Sequence, residues 1–191
     1  MMEEMVREFV CLSDQMRPGY RASLGTPQEG WERFILAKAG FVPKVFQAVY
    51  GQFAGTRREL EDQRLMDFIP GYRLIHAGEL ESEYRHLLNL LEPDDICEAQ
   101  IETFMPLLAD YASCYVLYAK RRDQVELVFS YSPDGGLVRM HDSAERFLET
   151  IIAFYRENVY FLDSNGFLDY DFEQQGIVGK RYNPGVAYWS E

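Results

Sequence analysis

Apolar residues at Met2, Met5, Val6, Phe9, Val10 and Met16 follow helical spacing. Arg17-Pro18-Gly19 ends that run, and residues 20–25 read as a loop. In "TPQEGWERFILAKAG", Thr26 offers a cap, Pro27 suits a first helical position and Glu29 completes a capping box. Trp31, Phe34 and Ile35 continue that helix, and Gly40 offers a stop. A second helix starts at Pro43, with Phe46, Val49, Tyr50 and Phe53 on one face. Residues 56–67 are charged and read as a loop or a helical turn. "GYRLIHAG" predicts a short strand, and "ELESEYRHLLNLLEPDD" a helix halted by Pro93, with Leu80, Tyr84, Leu87 and Leu91 as its stripe.

The period then changes. "TFMPLLAD", "CYVLYAK", "VELVFSY" and "LVRMH" are short and rich in β-branched or aromatic residues. "SPDGG" is a hairpin turn between the last two. The four predict an antiparallel meander. Helical period returns after Asp142 or Ser143, with Phe147, Ile151, Phe154 and Tyr155 buried. Residues 158–191 read as an irregular tail with a short hairpin around Asn165-Gly166. Segregated helices and strands give an α+β class: a mostly antiparallel or mixed sheet flanked by helices, in one domain over residues 1–191. Residues 1–25 form an N-terminal helical extension to it.

Composition narrows the function more than the fold. The chain has 191 residues, 47% hydrophobic and 15% aromatic, which suits a globular core. Its net charge of −12 repels phosphate backbones and anionic lipid, so neither nucleic acid nor membrane is an expected partner. A basic protein is the natural complement. Cys11, Cys97 and Cys114 are odd in number and widely spaced, which suits a reduced, cytoplasmic setting. The start, "MMEEMVREFVCL", has no signal-peptide pattern, and no apolar stretch is long enough to span a bilayer.

Candidate chemistry is sparse. "LDSNGFLDYDFEQQG", residues 162–176, carries Asp163, Asp169, Asp171 and Glu173 with no Lys or Arg. Read as a calcium loop from Asp163, it places Gly166 at position 4; read from Asp169, it places Gln174 at position 6. Calcium loops need glycine at 6, so both readings fail. His76, His86 and His141 form no zinc pattern such as HExxH. His76 and His141 are expected at strand ends and His86 on a helix surface. No GxSxG, SxxK, phosphate loop or dinucleotide fingerprint occurs. No catalytic residue, cofactor or metal is therefore expected. The partner-binding candidates are Asp169, Tyr170, Asp171 and Glu173. Aromatics supply anchoring area and carboxylates supply steering. Leu168, Tyr170 and Phe172 are expected to face inward on a strand-like stretch, with Asp169, Asp171 and Glu173 outward.

Three segments in order resemble the SUKH superfamily, which includes the Smi/Knr regulators of fungal cell-wall synthesis and many bacterial immunity proteins. The family's proline-led helix is similar to "VPKVFQAVYGQFAG", with Pro43, Phe46, Tyr50 and Gly55. Its strand-and-helix step is similar to "YRLIHAGELESEY". Its signature region resembles "MPLLADYASCYVLYAK", "VELVFSYSPDGG" and "DSAERFLETI", matching at Leu108, Ala109, Asp110, Tyr115, Leu117, Ser143, Phe147 and Leu148. The chain departs where Ala112 and Ser113 replace the glycine usual after Ala-Asp. The resemblance covers residues 26–157. It implies an α+β binding domain without catalytic residues: an immunity protein against a toxin, commonly a nuclease, or alternatively a regulatory scaffold. A cryptic enzyme is the third reading.

Overall fold

The computed structural model describes residues 1–190. Its centre is a six-stranded antiparallel sheet in which strand order follows chain order. The strands are β1 (Asp67–Ile69), β2 (Tyr72–Leu74), β3 (Ile101–Ala109), β4 (Tyr115–Arg121), β5 (Glu126–Ser132) and β6 (Gly136–His141). The expected meander is β3 to β6, with "SPDGG" turning β5 into β6. The parallel element is one isolated bridge, Thr56 to Ile75. Pro106 has no N–H to give the ladder, and it sits in central β3 where the register against β4 shifts.

β1 is a strand that the pattern does not reveal. Three residues are too few to show a period, and Pro70-Gly71 turns them directly into β2. Gly71 makes that turn at φ +80°, with its N–H donating to Asp67 Oδ2.

Helices cover both sheet faces. α1 (Met2–Met16), α2 (Tyr20–Ser23), α3 (Glu32–Ala39) and α4 (Lys44–Tyr50) precede the sheet. α5 (Leu80–Leu90) and α6 (Pro93–Glu98) join β2 to β3, and α7 (Ala144–Arg156) follows β6. Alternation along β4 sends Tyr115 toward Glu83 of α5 and Tyr118 to the opposite face, against Phe41 and Phe46. The segment read as a loop at 20–25 contains α2, which buries Tyr20 and Leu24. The predicted capping box at Thr26 is unused. Gly30 takes φ +76°, which no helix can continue through, so α3 begins two residues later. Gly40 does close α3 in the left-handed region, and Ser143 does cap α7, accepting from Arg146 N. Pro93 halts α5 and then opens α6 as its first residue.

The N-terminal segment joins the core, since Val6, Phe9, Val10, Tyr20 and Leu24 are all buried in one continuous cluster. Arg17, also buried, donates to the Asp67 carbonyl at 2.9 Å and to Tyr155 Oη at 3.2 Å, tying α1 to β1 and α7.

The C-terminal segment is ordered, not irregular. β7 (Tyr160–Leu162) pairs with β8 (Leu168–Tyr170), as the Asn165-Gly166 turn predicts. α8 (Phe172–Tyr182) and a 3-10 turn at Ala187–Trp189 follow. This unit docks through Val178, Gly179, Val186 and Trp189, all buried. Phe172, expected to face inward, is 76% exposed because the chain has turned helical there and the strand alternation no longer applies.

Candidate partner-binding surface

The hairpin geometry decides which side chains share a face. Phe161 pairs with Asp169 and Leu162 with Leu168, and Asp163 N donates to the Phe167 carbonyl one step further. Side chains alternate along each strand, and paired residues share a face. One face therefore carries Phe161, Phe167 and Asp169 outward, while Tyr160, Leu168 and the partly buried Tyr170 face the body. Phe161 and Phe167 are each 42% exposed. Phe172 and Ile177 of α8 and Tyr188 beyond it are also exposed and line a groove along α8 together with Glu173 and Lys180.

The acids around these aromatics do different jobs. Asp163 Oδ1 accepts from Phe167 N and Asn165 N, both at 2.8 Å, and so builds the turn. Those bonds, the one from Phe167 first, hold its carboxyl below the usual range. Asp171 Oδ1 accepts from Gln174 N at 2.9 Å and caps α8. Asp169 accepts from Tyr170 N, and Glu173 sits in the first turn of α8, where the helix dipole favours negative charge. Of the four candidates, Asp169, Asp171 and Glu173 are exposed and adjacent, while Tyr170 is partly buried beneath them. No Lys or Arg occurs between Arg156 and Lys180. Arg64 lies against the hairpin turn at Gly166 and is paired with Asp62, and the arginines flanking the segment in sequence are engaged too, Arg156 with Glu8 and Arg181 with Glu157. The face is thus acidic with apolar anchors, the combination that steers and then holds a basic protein.

Sequence reasoning named the acids and missed Phe161, Phe167, Ile177 and Tyr188. A usable signal was present: Phe161 and Asp163 are two apart, as are Phe167 and Asp169, which puts both kinds of residue on one side of a hairpin.

Titratable groups gather at a second place, beneath the sheet. Arg73, 1% exposed, donates to Glu83 Oε1 at 2.7 Å and to the Thr56 carbonyl at 2.9 Å. Arg58 and Tyr115 donate to the same carboxylate at 2.6 and 2.8 Å. Burial alone would raise the Glu83 carboxyl, but the hydrogen bonds from Arg58 and Tyr115, with the nearby guanidinium charges, outweigh it and hold Glu83 below the usual range. Arg73 also pairs with Glu79 at 2.7 Å, while its Nε–H has no partner, and the cluster is a structural joint between β2, β4 and α5.

His76 caps the 3-10 turn before α5, accepting from Gly78 N, and His86 is exposed on α5. Cys11, Cys97 and Cys114 are free thiols. Among the described residues, no group of three or more His, Cys, Asp or Glu gathers as a set of metal ligands. None of their helices is long and apolar enough to cross a membrane. Comparison with known protein families and with curated proteins returned no match.

Proposed function

We propose that this protein binds a basic protein partner without catalysing a reaction, and that it is an immunity protein of the kind the SUKH resemblance implies. The supporting observation is the outward face of β7, β8 and the start of α8. Phe161, Phe167 and Phe172 stand exposed there among Asp169, Asp171 and Glu173, with no cation inside the segment. A nuclease toxin needs a basic surface to hold phosphate, and a ring of carboxylates competes for that surface. Long-range attraction then speeds encounter, and the aromatic rings slow release. A regulatory scaffold would use the same face and differ only in its partner.

The test is co-expression with the product of the adjacent gene, followed by association kinetics over a salt series. The wild type should associate more slowly as salt rises. Asp169→Lys with Asp171→Lys should cut the association rate about tenfold or more at low salt, the range electrostatic steering spans. A rate indifferent to both salt and charge reversal would sink the electrostatic reading.

A further inference from the structure

Along α8, Gly176, Ile177 and Lys180 follow Glu173 at helical intervals, so the four form one stripe. Val178 and Gly179 bury the other side of the helix. Glu173, Ile177 and Lys180 are exposed, and a Cβ at Gly176 would meet no atom within 4 Å. Phe172 and Tyr188 border the same groove.

The two charges on the stripe lack partners. Among the described residues, neither Glu173 nor Lys180 enters an ion pair. They stand two turns apart, about 10.5 Å along the axis. Glu173 lies in the first turn and Lys180 in the last, each at the helix end that suits its sign. The helix dipole accounts for those signs. It does not account for a solvent-facing isoleucine and a position without a side chain between them.

Such a stripe is complementary to itself read backwards. Lay a second α8 antiparallel across it, with a two-fold axis passing between residues 176 and 177. Glu173 of each copy then faces Lys180 of the other. The two Ile177 side chains meet beside the axis, and Gly176 of each copy lets the backbones approach closely. A two-fold contact requires this self-complementarity.

We infer that the chain self-associates through this stripe into a two-fold dimer, held by Ile177 and by two Glu173–Lys180 pairs between copies. Charge selects the occupant. A basic helix would be attracted by Glu173 and repelled by Lys180, and an acidic helix the reverse. A second copy satisfies both. The net charge of −12 repels a second copy at long range. At physiological ionic strength charges are screened beyond about 8 Å, which leaves the contact pairs to decide. One helix of 11 residues offers less area than a permanent dimer buries, so the association is weak and governed by concentration.

The test is sedimentation velocity of the intact chain alone, over a concentration series at physiological salt. The wild type should pass from monomer to dimer. Glu173→Lys sets lysine against lysine, and Lys180→Glu sets glutamate against glutamate. Each variant turns two attractive pairs repulsive and should raise the dimer dissociation constant about tenfold. An equimolar mixture of the two variants should dimerise again, because one copy then offers two lysines and the other two glutamates. Gly176→Gln raises helix propensity, so its loss of the dimer would report blocked approach and not unfolding. A wild type that stays monomeric at every concentration overturns the inference. So does a dimer that the single variants leave intact, or one that their mixture fails to restore. This inference stands apart from the partner-binding reading. If the chain stays monomeric while charge reversal at Asp169 and Asp171 slows a partner, the dimer falls and the binding face stands.

Discussion

The indole Nε1–H of Trp189 donates to the Met140 carbonyl at 2.7 Å, which buttons the end of the chain to edge strand β6. The same ring lies so close to α8 that a Cβ at Gly179 would stand 2.1 Å from it. Gly179→Ala should therefore dislodge the indole and cost about 1–3 kcal/mol, the usual range for overpacking. Gly176, one helical turn earlier, has nothing within 4 Å of such a Cβ, and Gly176→Ala should stabilise by up to about 1 kcal/mol. Urea midpoints of the two variants should move in opposite directions; movement in the same direction would contradict this packing.

Gly55 lies at φ +92°, and a Cβ there would meet the Ile75 carbonyl oxygen at 2.4 Å. That oxygen is main chain and also accepts from Tyr50 Oη at 2.6 Å, so it cannot yield cheaply. Gly55→Ala combines backbone strain with a steric clash and should cost about 2–4 kcal/mol. A melting temperature within a degree of wild type would contradict the close approach.

Glu83 accepts from Arg73, Arg58 and Tyr115 together. Glu83→Ala leaves Arg73 with Glu79, at 2.7 Å, as its counter-charge but strips the buried Tyr115 hydroxyl of its acceptor, and should cost about 2–3 kcal/mol. Arg58 reaches the same carboxylate from an exposed position, 47% accessible, and Arg58→Ala should cost about 1 kcal/mol or less. The ratio of the two losses is the measurement; equal losses would place the weight on the surface pair instead.

Acid should weaken the fold in two stages. His141 has its folded pKa at about 3 against an ordinary 6.5, so the unfolded chain takes up the proton first. Its contribution is whole above pH 6.5 and drains away as pH falls toward 3, with a slope of up to about 1.4 kcal/mol per pH unit. Glu83 is also depressed in the fold, so its contribution begins to fade as pH drops through the ordinary carboxyl value of 4.5. Urea midpoints from pH 7 to pH 4 should fall throughout and steepen at the acid end. A flat profile between pH 6 and pH 5 would contradict a neutral, buried His141.

Phe172 is the most exposed aromatic of the candidate face, and its ring supports no core contact. Phe172→Ser should leave stability within about 0.5 kcal/mol of wild type. Its dissociation from the partner should accelerate while its association rate holds, because an anchor acts after encounter.

The meander was legible because β3 to β6 are long enough to display composition and are separated by strong turn residues. Asp67–Ile69 was not, since three residues carry no period. α8 was hidden for another reason. Gly176 and Gly179 lower helix propensity, and Phe172 to Tyr182 lacks a broad apolar stripe because only Val178 and Gly179 are buried. Asp171 followed three residues later by Gln174 is nevertheless a capping pattern, and Lys180-Arg181 suits a last turn. Weighing those end signals above the weak middle would have found it. Of the candidate surface, the acids at 169, 171 and 173 could be read directly. The exposure of Ile177 and Tyr188 could not, because it is decided by how α8 and the 3-10 turn after it dock on the body.

Arg17 meets the hydroxyl of Tyr155 across 138 positions of sequence. A ribosome delivers α1 first and α7 some seven-tenths of the chain later. One side of α1 can settle against α4 early, but the side that closes on α7 must wait, with Arg17 solvated until Tyr155 arrives. The first helix made is thus among the last to be sealed. A nascent chain stalled before residue 155 would display that unsealed side to chaperones and proteases alike.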